Sequence, residues 1–388
     1  MKVLHVTPTY VPAWRYGGPI RSVHGLCKAL AAQGVSVDVA TTTVDGPATL
    51  EVPVDRPVEL DGVKVRYFHS PFLRRLYWSP GLAGFVRDHL AEYDLVHLHS
   101  IYLWPTGFAA RAARSRRLPY VLSPRGMLVD ELIRRRNRWL KTAWINFFER
   151  RNLREAAMVH FTSEMEAADA ARLGVEWRAH CIVPNGVDVE SDPPPARNPA
   201  PLQNPFGGEP YVIFLGRLTW KKGLDRLIAA ITQVAGARLL LVGNDEDGYA
   251  QTLGKLIARE GVAERVKFAG PVTGAAKDEL LRRAVLLVLP SYSENFGNVV
   301  LEAMSEGCPV VVTREVGAAP IVEQSGAGLV ADGEPSVLAA AIQRLLGDPG
   351  LRSRMGLRGR DTVKASYAWP AIAAQMKAQY EALLRARK

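Results

Sequence analysis

The sequence predicts an α/β fold built as two doubly wound domains. Three observations carry that prediction. Short β-branched runs alternate with helical stretches along most of the 388 residues, the pattern of a parallel sheet with helices on both faces. The alternation breaks once, at 191–210, where "SDPPPARNPAPLQNPFGGEP" has the composition of a linker. It then restarts, in a chain too long for one ordinary core.

The elements follow in order. "KVLHVT" (2–7) reads as a strand, 19–33 as a helix opened by Pro19 and closed by Gly34, and "VSVDVAT" (35–41) as the next strand. Further strands are expected at 63–68, 94–98, 119–122, 157–161 and 180–183, and helices near 80–91, 105–116, 138–154 and 163–173. Ser163 and Glu166 fit a capping box at the start of the last helix. Beyond the linker come strands at 211–216, 237–243, 265–270, 285–290, 309–313 and 328–332. Helices are expected at 223–235, 248–260, 274–283, 298–306, 335–347, 350–365 and 369–386. The expected division is 1–190, a linker at 191–209, and 210–368, with the final helix 369–388 packing back on the first domain. Two facing sheets would leave an interdomain cleft at the carboxyl ends of their strands, where open α/β sheets bind ligands.

Composition narrows the function. Hydrophobic residues make up 48% and charged residues 23%, which excludes a disordered chain. Cys27, Cys181 and Cys308 lie far apart and form no CxxC, against structural zinc and a disulfide framework and in keeping with a reducing cytosol. The apolar run in "MKVLHVTPTY" is too short for a signal-peptide core, and no run of about 18 apolar residues appears. The expected location is cytoplasmic. The net charge is +10. Residues 134–154 carry eight Arg/Lys against one Glu, with Trp139, Trp144, Phe147 and Phe148 interleaved. Two readings stay open for that segment. It is either a helix with one packed face and one solvated basic face, or an interfacial helix peripheral on an anionic membrane surface. No RNA- or DNA-binding motif is present, against nucleic acid as a partner.

Three stretches carry chemistry. In "TYVPAWRYGGPIRSV" (9–23), Gly17 and Gly18 precede a helix, allowing backbone approach to an anion; a purely structural turn competes with that reading. The stretch contains neither GxGxxG nor GxxxxGK[ST], which weighs against dinucleotide-binding and phosphate-loop enzymes. In "LGRLTWKKGLDRLI" (215–228), Arg217 ends a strand and Lys222 comes five residues later, a cation pair able to grip a diphosphate; a solvated basic loop is the competing reading. In "SENFGNVVLEAMSEGCPVV" (293–311), Glu294 and Glu302 flank the Phe296–Gly297–Asn298 start of a helix. One acid there could simply serve the helix dipole. Two acids with helix N–H groups between them suit the diols of a sugar–diphosphate–ribose ligand.

The last block resembles the signature of glycosyltransferase family 4, the bacterial polysaccharide-type group 1 enzymes of retaining mechanism and GT-B fold. Glu294 and Glu302 match its E-x7-E, with Ala303, Met304, Gly307 and Pro309 in place. "GRLTWKKG" is similar to its diphosphate motif, "GGPIRSVHGLCKALAAQGVSVDVAT" to its N-terminal helix and strand, and "VPNGVD" (183–188) to the run before the linker. The resemblance implies transfer of a sugar from a UDP- or GDP-sugar to a hydroxyl acceptor, expected to be a lipid-linked oligosaccharide in exopolysaccharide or lipopolysaccharide synthesis. It implies no cofactor and no metal. Arg217 and Lys222 would bind the donor diphosphate, Glu302 the ribose, and Glu294 with the Phe296–Asn298 backbone the transferred sugar. Gly18 would lie under the diphosphate, and the base near Gly270–Val272. Where many relatives place a His near the sugar, this chain has "LSPRGML", leaving Arg125, His99 or His97 as the catalytic-centre candidate. A nucleotide-sugar epimerase and a non-catalytic scaffold of the same fold are the alternatives.

Overall fold

A computed structural model describes residues 1–54, 56–128, 149–189, 204–245 and 248–386. Most of the basic aromatic segment 134–154, and the Pro-rich stretch from 190 to 203, lie outside the described residues. The chain forms two compact units. Unit 1 comprises Met1–Gly186 and Trp369–Lys388; unit 2 is Val187–Ala368. The first passage thus falls at 186/187, four residues before the composition change at 191. The reason is backbone pairing: the Val187 N–H donates to the Tyr367 carbonyl at 3.0 Å, tying Val187 to unit 2.

Unit 1 is built on β1 (Lys2–Val6), β2 (Ser36–Thr42), β5 (Pro57–Leu60), β6 (Val63–Phe68), β7 (Leu95–His99), β8 (Tyr120–Ser123), β9 (Met158–Phe161) and β10 (His180–Ile182), with a separate ribbon of β3 (Val44–Asp45) and β4 (Ala48–Thr49). The eight-stranded sheet runs β10-β9-β8-β7-β1-β2-β6-β5. Its neighbours are parallel except β5, which pairs antiparallel with β6. Neither that edge strand nor the ribbon was expected: β5 opens on Pro57, which argues against a strand, and the ribbon strands have two residues each. Leu4, Val6, Val96, Leu98, Leu122, Val159 and Phe161 belong to one apolar cluster. Register then places their polar neighbours in strand together on the other face: His5 pairs with His97, and His99 with Ser123.

Unit 2 has β11 (Val212–Leu215), β12 (Leu239–Val242), β13 (Val266–Gly270), β14 (Leu286–Leu289), β15 (Val310–Thr313) and β16 (Gly328–Ala331), in the order β13-β12-β11-β14-β15-β16. Every pairing is parallel. Strands buried on both faces read as the continuous apolar runs "VIFL", "LLLV", "LLVL" and "VVVT". The order reverses at β11/β14, the switch point of a doubly wound sheet.

The Trp369–Arg385 helix belongs to unit 1 and packs on the Gly18–Ala32 helix. Close approach depends on Gly25 and Gly186, where an added Cβ would lie 2.2 Å and 2.5 Å from the Trp369 indole. Lys377 Nζ donates to the Gln33 carbonyl at 2.8 Å and the Gln33 amide to the Pro370 carbonyl at 2.6 Å. Trp369→Ala should therefore destabilise unit 1 by roughly 2–4 kcal/mol, read by urea denaturation. Gly25→Val should be at least as costly, since its added atoms would overlap the indole.

Candidate active site

In unit 2 the site forms where β11 and β14 diverge. After β11 comes exposed Arg217, then a tight turn at Trp220–Lys222. Gly223 closes that turn at φ 63°, against the chain leaving β14: a Cβ there would stand 2.0 Å from the Pro290 carbonyl oxygen. Only glycine accepts both conditions. The Tyr292 N–H then donates to the Lys221 carbonyl at 2.7 Å, and the Arg226 guanidinium lies 3.5 Å from the Tyr292 ring centroid. These contacts bring Lys222 onto Glu294, and their side chains form an ion pair.

The loop carrying Glu294 is fixed from its other side. Its N–H donates to the Glu315 carbonyl and its carbonyl accepts from Gly317, each at 2.9 Å. Gly297 caps the Asn298–Ser305 helix at φ 89°, with Val316 and Leu289 side chains 3.0 and 3.2 Å from where a Cβ would sit. Phe296 is buried beneath, and Asn298 is half-buried at the helix start. Glu302 projects from the first turns of that helix and pairs with Lys277 at 3.0 Å. Gly270 ends β13 at φ 64°, and Val272 packs against the unit 2 core. The two acids expected to await diols are thus each held by a lysine. Lys277 was missed by the sequence reading. A signal existed: it sits in the first turn of the Ala275–Arg283 helix, where a cation opposes the helix dipole.

In unit 1, Gly17 (φ 65°) caps the Gly18–Ala32 helix, after a short turn at Trp14–Tyr16 that was not expected. Arg125 follows β8 in a left-handed conformation, φ 57°. Its guanidinium donates to Asn185 Oδ1 at 2.8 Å and to His99 Nδ1 at 3.3 Å. Glu166 supports the turn. Its carboxylate accepts from the Gly126 N–H at 2.6 Å and the Thr162 N–H at 2.8 Å, while its own N–H donates to the capping Ser163 hydroxyl at 3.1 Å. His99, expected as a candidate at the catalytic centre, is buried behind Arg125, and His97 lies deeper, against Tyr380 of the final helix.

The imidazole protons can be assigned from the fixed ends of this network. The Val183 carbonyl only accepts, so His160 donates from Nε2, at 2.9 Å, and keeps Nδ1 as an acceptor. His97 therefore donates from Nε2 to it at 3.4 Å and accepts the Tyr380 hydroxyl on Nδ1 at 2.6 Å. Arg125 only donates, so His99 accepts on Nδ1 and donates from Nε2 to His5 Nδ1 at 2.9 Å. Nitrogens of His5, His97 and His99 lie within 4.8 Å of one another, a spacing that suits a metal ion. In this arrangement the three ring lone pairs accept from His99, Tyr380 and Arg125, in two separate hydrogen-bond runs, Arg125–His99–His5 and Tyr380–His97–His160.

Burial, then the Arg125 charge, pushes His5 and His160 down from 6.5 to about 3, and burial pushes His97 and His99 well below their usual range. Unfolded histidines take up protons below 6.5, whereas the folded His5 and His160 resist until about 3. The unfolded state binds more protons in that window, so stability should fall as pH drops through it. His160→Gln, which keeps a donor for Val183, should flatten the fall, measured by denaturant midpoints at several pH values. Equal slopes for both proteins would contradict the assignment.

The model described as "Glycosyl transferases group 1" matches residues 201–362, and "Glycosyl transferase 4-like domain" matches 17–186. The chain is 30% identical over 306 residues to a D-inositol 3-phosphate glycosyltransferase of Nocardia farcinica, covering 75% of this chain and 67% of that one. Among solved structures it is similar to the sucrose-phosphate synthase of Thermosynechococcus elongatus (TM-score 0.77, 25% identity, all of both chains). It also matches Anabaena HepE in complex with UDP and glucose (TM-score 0.74, 22% identity, 98% of this chain and 100% of that one).

Proposed function

The chain belongs to the group 1 glycosyl transferases, with the GT-B fold, and from that premise we propose that it moves a sugar from a UDP- or GDP-sugar to a hydroxyl acceptor with retention of configuration. The observation that carries the reading is the pair of half-buried Lys–Glu contacts, Lys222–Glu294 and Lys277–Glu302, set around the N-terminus of one helix at the switch point of unit 2. The HepE structure, which holds UDP and glucose, supports the donor class.

In this reading the donor displaces lysine–carboxylate contacts with contacts of its own. The diphosphate takes Lys222, Arg217 and the N–H groups at Gly297 and Asn298. The freed Glu294 accepts from the sugar hydroxyls, and Glu302 from the ribose. Catalysis then rests on stabilising the departing nucleotide, whose developing charge meets fixed cations and amides. The leaving diphosphate itself takes the acceptor proton as the new glycosidic bond forms on the face it vacates. Arg125, with His99 holding its guanidinium, belongs to the acceptor side of the chemistry in unit 1. No metal is required by this scheme, so a chelator should leave the rate unchanged. The acceptor proposed is a lipid-linked saccharide, in keeping with the +10 net charge.

The experiment is a thermal-shift and transfer panel of UDP-, GDP-, ADP- and CMP-sugars. A UDP- or GDP-sugar should raise the melting temperature, and failure of all four would sink the proposal. A free sugar isomer released without acceptor would instead indicate an epimerase. Lys222→Ala should lower kcat/KM by about 10²–10³-fold. Glu302→Ala should abolish the preference for the nucleotide over its 2′,3′-dideoxy analogue while leaving the dideoxy affinity unchanged.

A further inference from the structure

The turn after β8 breaks a local rule of sequence. The Met127 N–H donates to the Pro124 carbonyl at 3.3 Å, and the residues between them, Arg125 and Gly126, have φ 57° and 75°. Positive φ at both central positions is the type I′ pattern, which favours Gly, Asn and Asp. Gly126 meets that demand. Arg125 does not, and a bulky side chain there costs on the order of 1 kcal/mol. Ser100 and Tyr102, in the loop after the adjacent strand β7, share the conformation, with φ 76° and 64°. Strain gathered at two neighbouring strand ends is typical of a place that holds a ligand.

The strained turn presents a cation without an anion. The Arg125 side chain is half-buried, and its Nε is buried with no partner. Among the described residues its hydrogen-bond acceptors are Asn185 Oδ1 and His99 Nδ1, both neutral. Glu166 is the acid whose charge reaches it, but that carboxylate is already committed to the Gly126 N–H, the Thr162 N–H and the Thr162 hydroxyl. Burial therefore pulls the Arg125 pKa below the ordinary arginine value, and Glu166 offsets only part of that. A buried charge is costly unless it is paired. A neutral amide could hold Asn185 without the cost. The protein instead places a guanidinium at the carboxyl ends of parallel strands, where open α/β sheets take their ligands.

We propose that Arg125 receives a carboxylate borne by a sugar, so that the saccharide handled here is a uronic acid or a like acidic sugar. The inference rests on the transferase reading above and names the substrate class within it. A carboxylate accepts two parallel N–H bonds from one guanidinium, and the unpartnered Nε–H is one of the donors still available. Its single charge matches the single cation. A phosphate monoester carries roughly −1.5 to −2 near neutral pH, and the excess would face the buried Glu166. A hydroxymethyl group in the same place would leave the guanidinium unpaired, so acidic and neutral sugars differ by the pairing of a buried charge. The carboxylate belongs either to the acceptor saccharide or to the transferred sugar, which present the same chemistry to Arg125.

The test measures affinities of the full chain for matched pairs that differ only as carboxylate against hydroxymethyl, in gluco, galacto and manno configurations. One arm titrates UDP- and GDP-hexuronates against the parent UDP- and GDP-hexoses by calorimetry. The other follows methyl hexuronides against methyl hexosides by saturation-transfer NMR, which needs no turnover. The acid should bind about tenfold or more tightly in one arm, and that arm identifies which sugar carries it. Arg125→Gln, which keeps an amide donor for Asn185, should bring the ratio close to one. Arg125→Lys, which keeps the charge without the fork, should give an intermediate ratio. The ratio is decisive because a purely structural loss weakens both members of a pair alike. A wild type with no acid preference in either arm overturns the inference and leaves the transferase reading standing, as does an Arg125→Gln loss equal on both members. Tighter binding of inorganic phosphate than of the hexuronides, abolished in Arg125→Gln, assigns the site to a phosphate and also overturns it. Failure of every nucleotide-sugar to bind removes the transferase reading, and this inference with it.

Discussion

The candidate donor site depends on one constraint: strands β11 and β14 are sheet neighbours although about 70 residues separate them in sequence. Their outgoing loops must leave in opposite directions, and the gap opened at that edge is where Arg217, Lys222 and Glu294 collect. The contact of Gly223 with the Pro290 carbonyl narrows the gap until Lys222 reaches Glu294. That ion pair contributes little net stability, because desolvating the two charges offsets most of their attraction. Its consequence is organisational. Each partner holds the other in a defined place, and an anionic ligand meets a cation already positioned.

Unit 1 solves a different problem, the burial of four imidazoles and a guanidinium beside one sheet. Neutral histidines make that burial tolerable, since each carries one donor and one acceptor, and His97, His99 and His160 use both, while His5 Nε2 is left without a partner. Arg125 supplies the only charge of that group, and its direction of donation fixes the proton on His99 and then on His5. In a separate run the Val183 carbonyl fixes the proton on His160 and then on His97, which leaves His97 Nδ1 to accept from Tyr380. The final helix is therefore coupled to the strand ends by hydrogen bonding at Tyr380 as well as by the packing of Trp369 on Gly25 and Gly186.

Much of this was legible in sequence where the signal was local. The E-x7-E block could be read because a helix begins inside it, and the parallel sheets because their strands are continuous apolar runs. The alternation in "VHLH" marked a polar face but not its partners: His160 and Tyr380 are 63 and 283 residues away from His97. No periodicity links such positions. Lys277 left only a local trace, a cation in the first turn of its helix; its pairing with Glu302 was hidden, since only the packing of two helices brings them together.

The charge distribution follows a similar division. Lys222 and Lys277 each face a carboxylate, so these pairs add no net charge to the unit 2 site. The chain's net charge is +10, and residues 134–154 alone hold eight of the basic side chains against one acid. A field from unpaired surface cations acts over about a Debye length, some 10 Å, and raises the local concentration of any anion without choosing among them. A balanced ion pair has almost no reach, but it yields only to a ligand that can replace both of its partners at once. A diphosphate bearing two sets of hydroxyls meets that condition; an isolated phosphate satisfies the lysine and leaves the glutamate unpaired. Attraction and selection are thereby assigned to different residues. Salt should act on the first and leave the second largely intact, because the half-buried pairs are shielded from the ions that screen the surface.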